Sequence, residues 1–541
     1  MNRLLQLLLI LAMALPGLAQ KPKWGRPIQA EKKSYTPTIV GDDDKSIYTV
    51  EVPNSKEIMF ERFDKKKLGR DYTKTVEIPR LGRKKYDLER ISFIGGKFLV
   101  FASVYNSGSH EYELRAFTYD GKNARSAGDF EIFNNKVEKK RRKGDFEVFT
   151  SNNKERFLIY YTTYYKEKDQ TIEVVKLYNQ NVELVTEKEY IYDGEHEGSI
   201  GNILLDDEGS VYYLQGEDVV ILDANQGYEE WRESIVLEEQ GLNGGISRIY
   251  LAINGEGDLM VIGDYLTTDL SKTDENKSRR ERKKNDTQIE GVFFMKINGF
   301  TKETEVAKLS KFDKEFLDQF RSEKDVRKGR DAEMNNTFDS FEFFFKEDGG
   351  LVFVMEDRMI IRRYSNGRLV GESYLYNDLV SYNFSPEGDL VWATRIPKKQ
   401  TYYWNSMLLG FMSTSVGMTW FAEPYYAKGH FSYLAGLSDD KFYIIYNDHE
   451  KNAREQSENS KQREIAKVRY SVPVMYTIDL ETGVKKKSLE LGFNSGKLHL
   501  KPIVNFQRSQ EYPLYVFCMN RKTFSFGRVD FNNLTRKSAK R

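Results

Sequence analysis

The sequence predicts an all-β protein, a β-propeller of about eight four-stranded blades, with seven as the alternative and with loop and short helical insertions. Three observations predict it. Aromatic residues make up 13% of the chain, with 34 Tyr and 34 Phe, and such side chains suit a pleated, half-buried surface. One phrase recurs from Thr38 to Met519: an apolar run, a turn rich in Asp, Glu or Gly, and a second apolar run. Its clearest form is Phe341–Asp357, FEFFFKEDGGLVFVMED, which reads as a hairpin. The recurrence is also regular. Thr38, Ile91, Phe146, Ile203, Ile249, Phe341, Tyr433 and Ile503 are spaced by 53, 55, 57, 46, 92, 92 and 70 residues. Setting aside insertions at 268–288, 311–333, 402–428 and 450–467 reduces the three long steps to 48, 65 and 52. A period near fifty with four strands per unit is the pattern of a propeller.

Taken in order, residues 1–19 read as a signal peptide. Arg3 supplies the positive start, Leu4–Leu15 the apolar stretch, and Gly17 and Ala19 the small residues before Gln20. The stretch is too short to span a membrane, and no lipid-attachment cysteine stands beside it. The expected location is periplasmic or extracellular. Residues 20–35 form an arm that the last unit, short of one strand, would take up to close the ring.

The propeller is expected over 36–531. Its first unit has strands at Thr38–Val40, Ser46–Val52, Glu57–Phe63 and Thr73–Ile78. The second turns at Gly95-Gly96, and the fourth at Asp206-Asp207-Glu208-Gly209 with its last strand near Ile235. In the sixth, Met359–Tyr376 reads as an extra hairpin, followed by strands at Leu379–Phe384 and Leu390–Ile396. The competing division starts a new unit at Val380. Residues 532–541 are a basic tail.

The insertions differ in kind. Residues 268–288 and 450–467 are charged and poor in large apolar side chains, and read as mobile loops. In 311–333, Phe312, Phe316, Leu317 and Phe320 fall at helical spacing. Residues 402–428 are aromatic and Met-rich. There Trp404, Met407, Leu408, Phe411, Met418, Trp420 and Phe421 form either a partner-binding surface or a flap buried on the propeller. Trp404, Met407, Phe411, Met418, Trp420 and Phe421 are the candidate binding residues.

Composition excludes several functions. With 83 basic and 82 acidic residues the net charge is +1, which makes no electrostatic case for nucleic acid or an anionic membrane. Cys518 is the lone cysteine, so no intramolecular disulfide forms, and its neighbours Val516, Phe517 and Met519 mark a buried strand. The histidines at 110, 196, 430, 449 and 499 lack metal-ligand spacing. No phosphate-binding loop or serine elbow is present, and no cofactor or metal is expected. The acidic turns at Asp42-Asp43-Asp44, Asp206-Asp207-Glu208 and Glu347-Asp348 lack the calcium-loop pattern and read as hairpin turns.

The stretches Trp392–Gln400 (WATRIPKKQ), Phe442–Asn452 (FYIIYNDHEKN) and Thr38–Val50 (TIVGDDDKSIYTV) resemble a group of uncharacterised exported proteins of the Bacteroidota. That resemblance implies a propeller fold and export, and brings no activity or catalytic residues. The function expected is a non-catalytic binding or scaffold module for a protein or glycan partner of the cell envelope. The alternative is a hydrolase or lyase acting on polysaccharide or peptide in the central cavity.

Overall fold

Eight antiparallel sheets follow one another along the chain, and each begins with a strand that pairs to the next in sequence. In the computed structural model the residues described are 22–30, 37–54, 56–137, 139–195, 200–237, 245–266, 289–321, 327–328, 334, 337–365, 368–405, 430–454, 462–465, 470–489, 491–495, 497–507, 512–520 and 523–531. The protein is a β-propeller of eight blades. The first strand of each blade lines the central channel and the last lies outermost. Blade one runs Thr38–Asp42, Ser46–Asn54, Glu57–Asp64 and Gly69–Glu77, and its burial falls from the second strand to the fourth.

Blade-to-blade packing shows that the ring is closed. Each strand offers alternate side chains to the blades on its two sides, so a blade has two apolar faces rather than one. Eight core clusters result, each drawn from two consecutive blades. One joins blade eight back to blade one through Ile47, Met59 and Phe63 against Tyr515, Phe517 and Phe526. Aromatic side chains fill these wedges. Tyr48 stacks on Phe93 across the first interface, and Phe63 meets Phe517 edge-on across the last, with centroids 5.4 Å apart. The high Tyr and Phe content thus goes into the joints.

The last blade draws on both chain ends. Its own strands are His499–Phe506, Leu514–Met519 and Thr523–Val529, and Lys23–Trp24 pairs with the outer one opposite Gly527 and Arg528. Ile28–Gln29 pairs further along the same strand, opposite Phe524 and Thr523. Cys518 is buried in the middle strand, and its thiol donates to the Phe493 carbonyl at 3.1 Å. Burial pushes that thiol far above its ordinary range.

Blade six departs from the plain pattern. Its second and third strands run on beyond the blade as one long hairpin, Leu351–Ser365 and Arg368–Phe384. The extra hairpin is therefore a collinear extension of the blade's own middle strands, and no new unit begins at Val380. Gln400–Asn405 adds a third strand to this extension, opposite Gly371–Tyr376. At its base, Tyr374, Tyr376, Phe431 and Ile465 form a separate small core.

The strand expected near Ile235 in blade four is Glu229–Ser234, and Ile235 just beyond it is buried. The short helix expected in 311–333 is Lys314–Asp318, capped by Asp313, with Lys311 still in the preceding strand. Phe312 and Phe316 enter the core between blades five and six. The charged insertion at 450–467 is not wholly a loop. Glu450–Ala453 is helical, and Ile465 is buried and exchanges backbone hydrogen bonds with Lys399 and Thr401. The insertion at 268–288 lies outside the described residues. No helix among the described residues is long and apolar enough to cross a membrane.

Candidate functional site

The turns between first and second strands gather at one mouth of the channel. Two glycines at positive φ, Gly95 (54°) and Gly96 (76°), make the tight turn of blade two. Elsewhere acidic side chains hold the turn. Asp206 Oδ1 accepts from the backbone N–H groups of Gly209 (2.6 Å) and Ser210 (2.8 Å). Asp348 does the same for Gly350, and Asp43 for Lys45 and Ser46. These carboxylates act first as turn formers, the role their sequence context suggests.

Behind the turns lies a cavity of about 1940 Å³ that opens at this mouth. Twelve Asp or Glu residues line it against three Lys or Arg, in a chain whose net charge is only +1. The fold has therefore segregated acid onto one surface. Some of that charge is offset locally, as by the Lys302–Asp223 pair at 2.8 Å and the Lys441–Asp479 pair at 2.5 Å. Glu256, Glu347, Asp439 and Glu481 are exposed and make no side-chain hydrogen bond or ion pair among the described residues. The wall is apolar as well: Phe149, Leu204, Leu251, Phe341, Phe343 and Phe345 line the same space.

Deeper in the channel, charged groups sit on or beside the first strands. Arg90 of blade two and Glu147 of blade three face one another electrostatically: burial pulls the guanidinium down to about 10, and Glu147 opposes that shift. On blade five, Asp264 stands opposite Arg248 in the ladder. The Asp264 side chain is wholly buried, and neither carboxylate oxygen has a hydrogen-bond partner among the described residues. Burial raises it to about 7, against the opposing pull of Arg248.

The densest polar cluster lies between blades six and seven. Lys398, wholly buried, donates to Glu356 Oε1 and, at 3.4 Å, to Gln400 Oε1. Ser432 Oγ donates to the other Glu356 oxygen at 2.9 Å, and Ser432 N to Gln400 Oε1 at 2.8 Å. Ser432 has φ +65°, a left-handed conformation that side chains seldom adopt, and these two bonds hold it there. Glu342, one strand inward from Glu356, faces the channel. Its side chain is exposed to the cavity, and desolvation by the blade around it, with the Glu356 charge second, raises its carboxyl above the usual range.

The binding residues expected from sequence lie elsewhere. The Trp404 backbone is in the added strand of the extension, opposite Glu372. Met407, Phe411, Met418, Trp420 and Phe421 lie outside the described residues. Of the carboxylates lining the cavity, Asp206, Asp207, Glu208, Glu347 and Asp348 read from sequence as turn residues, whereas Glu342 is not singled out there, although it interrupts an otherwise aromatic run, Phe341 to Phe345. No group of three or more His, Cys, Asp or Glu side chains among the described residues is placed to hold a metal ion.

No family model and no curated protein matches the sequence. Among solved structures, the chain is similar to a mutant Synechocystis apocarotenoid oxygenase, at 8% identity over 87% of this chain and 93% of that one, with a TM-score of 0.32. It is also similar to the GH93 α-L-arabinofuranosidase of Fusarium graminearum, at 10% identity over 82% and 92%, with a TM-score of 0.28. A Bacteroides fragilis protein described as exported matches at 11% identity over 63% and 86%, with a TM-score of 0.25. Similarities this distant carry no argument about activity or ligand.

Proposed function

We propose that the protein is an exported, non-catalytic binding module of the cell envelope. Its ligand-facing surface is the acidic mouth of the channel, and its partner is a basic segment of another protein. The observation that carries this reading is the charge of the lining, twelve carboxylates against three basic groups around a cavity of about 1940 Å³. A concave surface of one sign, walled by apolar side chains, focuses its field and favours a cation over the water it displaces. Phe341, Phe343 and Phe345 add apolar and π surface that suits the stems and heads of Lys and Arg.

The rival reading, a hydrolase or lyase in the channel, has less support. Hydrolysis of a glycosidic bond by paired carboxylates needs two groups free to act. Of the Glu342–Glu356 pair, Glu356 is held by Lys398 and Ser432 and is only 1% exposed.

Fluorescence anisotropy of a labelled Lys/Ala peptide, with a Glu/Ala peptide as control, tests the proposal. Only the basic peptide is expected to bind, and raising salt from about 50 to about 300 mM is expected to weaken it several-fold. The combined variant Glu256→Gln, Glu347→Gln, Asp439→Asn, Glu481→Gln is expected to lose about tenfold in affinity. Equal binding of the acidic peptide, or an unchanged variant, would refute the reading.

A further inference from the structure

Behind the mouth, the channel wall holds a smaller cavity of about 370 Å³, within the range of small-molecule pockets. Blade three supplies Glu147 and Phe149, two residues apart on the first strand Asp145–Thr150 and so on the same side of it. Tyr160, opposite Glu147 in the ladder, lines the cavity as well. Leu204, Leu251 and Phe341, from blades four, five and six, complete an apolar wall.

Blade four shapes this pocket with a bulge. On its first strand Gly201 lies opposite Leu214 and Leu204 opposite Tyr212, so Asn202 and Ile203 together stand against Tyr213 alone. Both bulged residues line the pocket. Asn202 has φ +51°, in the left-handed region, a conformation that persists only where the surroundings hold it. Its Nδ2 donates to the Ile249 carbonyl of blade five at 2.7 Å, which fixes the amide. Its Oδ1 then accepts no hydrogen bond among the described residues.

Glu147 is a second acceptor of this kind. Its side chain is exposed to the cavity and makes no hydrogen bond or ion pair among the described residues. Arg90 of blade two lines the wider mouth cavity and not this pocket. The Tyr160 hydroxyl donates to Glu173 Oε1 at 2.9 Å, so its proton is already committed. The polar side chains of the pocket thus present acceptors, and an anion would meet none of their donors.

We propose that this pocket binds a small arylalkyl amine as its ammonium. An ammonium carries three N–H donors and no acceptor, which matches the Glu147 carboxylate and Asn202 Oδ1. Phe149 and Phe341 offer ring faces to the cationic head and, with Leu204 and Leu251, apolar surface to the aromatic body. The inference goes beyond the reading of the mouth, because Glu256, Glu347, Asp439 and Glu481 lie outside the lining of the pocket.

Two measurements test it. The first is calorimetric titration of the full chain with phenethylammonium chloride, sodium phenylacetate and 2-phenylethanol, which share one ring and differ in the head group. Phenethylammonium is expected to bind about tenfold tighter than the alcohol, and phenylacetate is expected not to bind. Glu147→Gln should bring phenethylammonium down to the level of the alcohol. Gly201→Leu, at a lining position where a Cβ meets no atom within 4 Å, should weaken binding by occupying the space. Absence of phenethylammonium binding, equal binding of the three ligands, or an unchanged Glu147→Gln protein overturns the proposal. The second is methyl NMR of Leu204 and Leu251 in the parent chain, which stands whether or not the variants fold. Their resonances should shift as phenethylammonium is added. Unmoved resonances at saturating ligand overturn the pocket as its site.

Discussion

The indole N–H of Trp24 donates to the carbonyl of Gly492 at 3.0 Å, across 468 residues of chain. This bond ties the N-terminal strand to the connection that leads into the last blade. The Trp24 ring also covers Gly527, where a Cβ would come within 2.3 Å of the ring and 2.9 Å of the Lys23 carbonyl.

Two substitutions should therefore loosen the same seam. Trp24→Ala removes a half-buried ring and its hydrogen bond, at a cost of about 2–4 kcal/mol. Gly527→Ala leaves the ring present but unseats it. Both should lower the midpoint of urea unfolding and speed tryptic cleavage after Lys23. A Gly527→Ala protein as resistant as the parent would show that the arm adds nothing to closure.

The Lys398–Glu356 pair predicts a strong asymmetry between single and double variants. Lys398→Met leaves a buried carboxylate without its cation and should cost about 3–5 kcal/mol. The double variant Lys398→Met, Glu356→Gln removes both charges and should recover most of that loss. Urea unfolding of the three proteins forms the cycle, and additive losses would contradict the coupling.

Asp264 gives stability a dependence on pH. Its folded carboxyl is raised to about 7, above its unfolded value, so the stabilisation it contributes is fully present below about pH 4. It is lost as pH rises from about 4 through 7, at about 1.4 kcal/mol per unit of displacement. Asp264→Asn, which cannot ionise, should be the more stable protein at pH 8 by about 2–4 kcal/mol and should lose that advantage near pH 4. Thermal unfolding of both proteins across this range is the check.

Lys501 should act in the opposite sense. It is 1% exposed, and burial pulls its ammonium down to about 7 although Glu51 opposes the shift. The folded chain then resists protonation more than the unfolded one, so stability rises as pH climbs from about 7 to about 10. Lys501→Met should be stabilising at pH 6 and neutral near pH 10. A variant with the same effect at both values would show that the lysine is not desolvated.

Much of the architecture was legible in the residues. The eight positions whose spacing marks the repeat, from Thr38 to Ile503, each fall on the first strand of a blade. Alternating apolar runs broken by Asp and Gly turns are local signals, and a four-stranded antiparallel sheet is built from neighbours in sequence. The same locality explains why the acids of Asp206 and Asp348 could be read as turn residues. The misreadings came where tertiary packing overrode local polarity. Ile465 is buried within a charged insertion because the base of the blade-six extension offers it an apolar seat beside Tyr374 and Phe431.

The sequence alone determined the repeat, the strand content and the near-neutral charge. Only the tertiary structure decided where that charge resides. Closing the ring brings turns from blades far apart in sequence to one mouth, so carboxylates scattered from Asp206 to Glu481 share one cavity. Closure also sets Ser432 against Glu356, 76 residues away, in the wedge between blades six and seven. Sequence spacing says nothing of that proximity, because blades pack side by side only once every blade has formed.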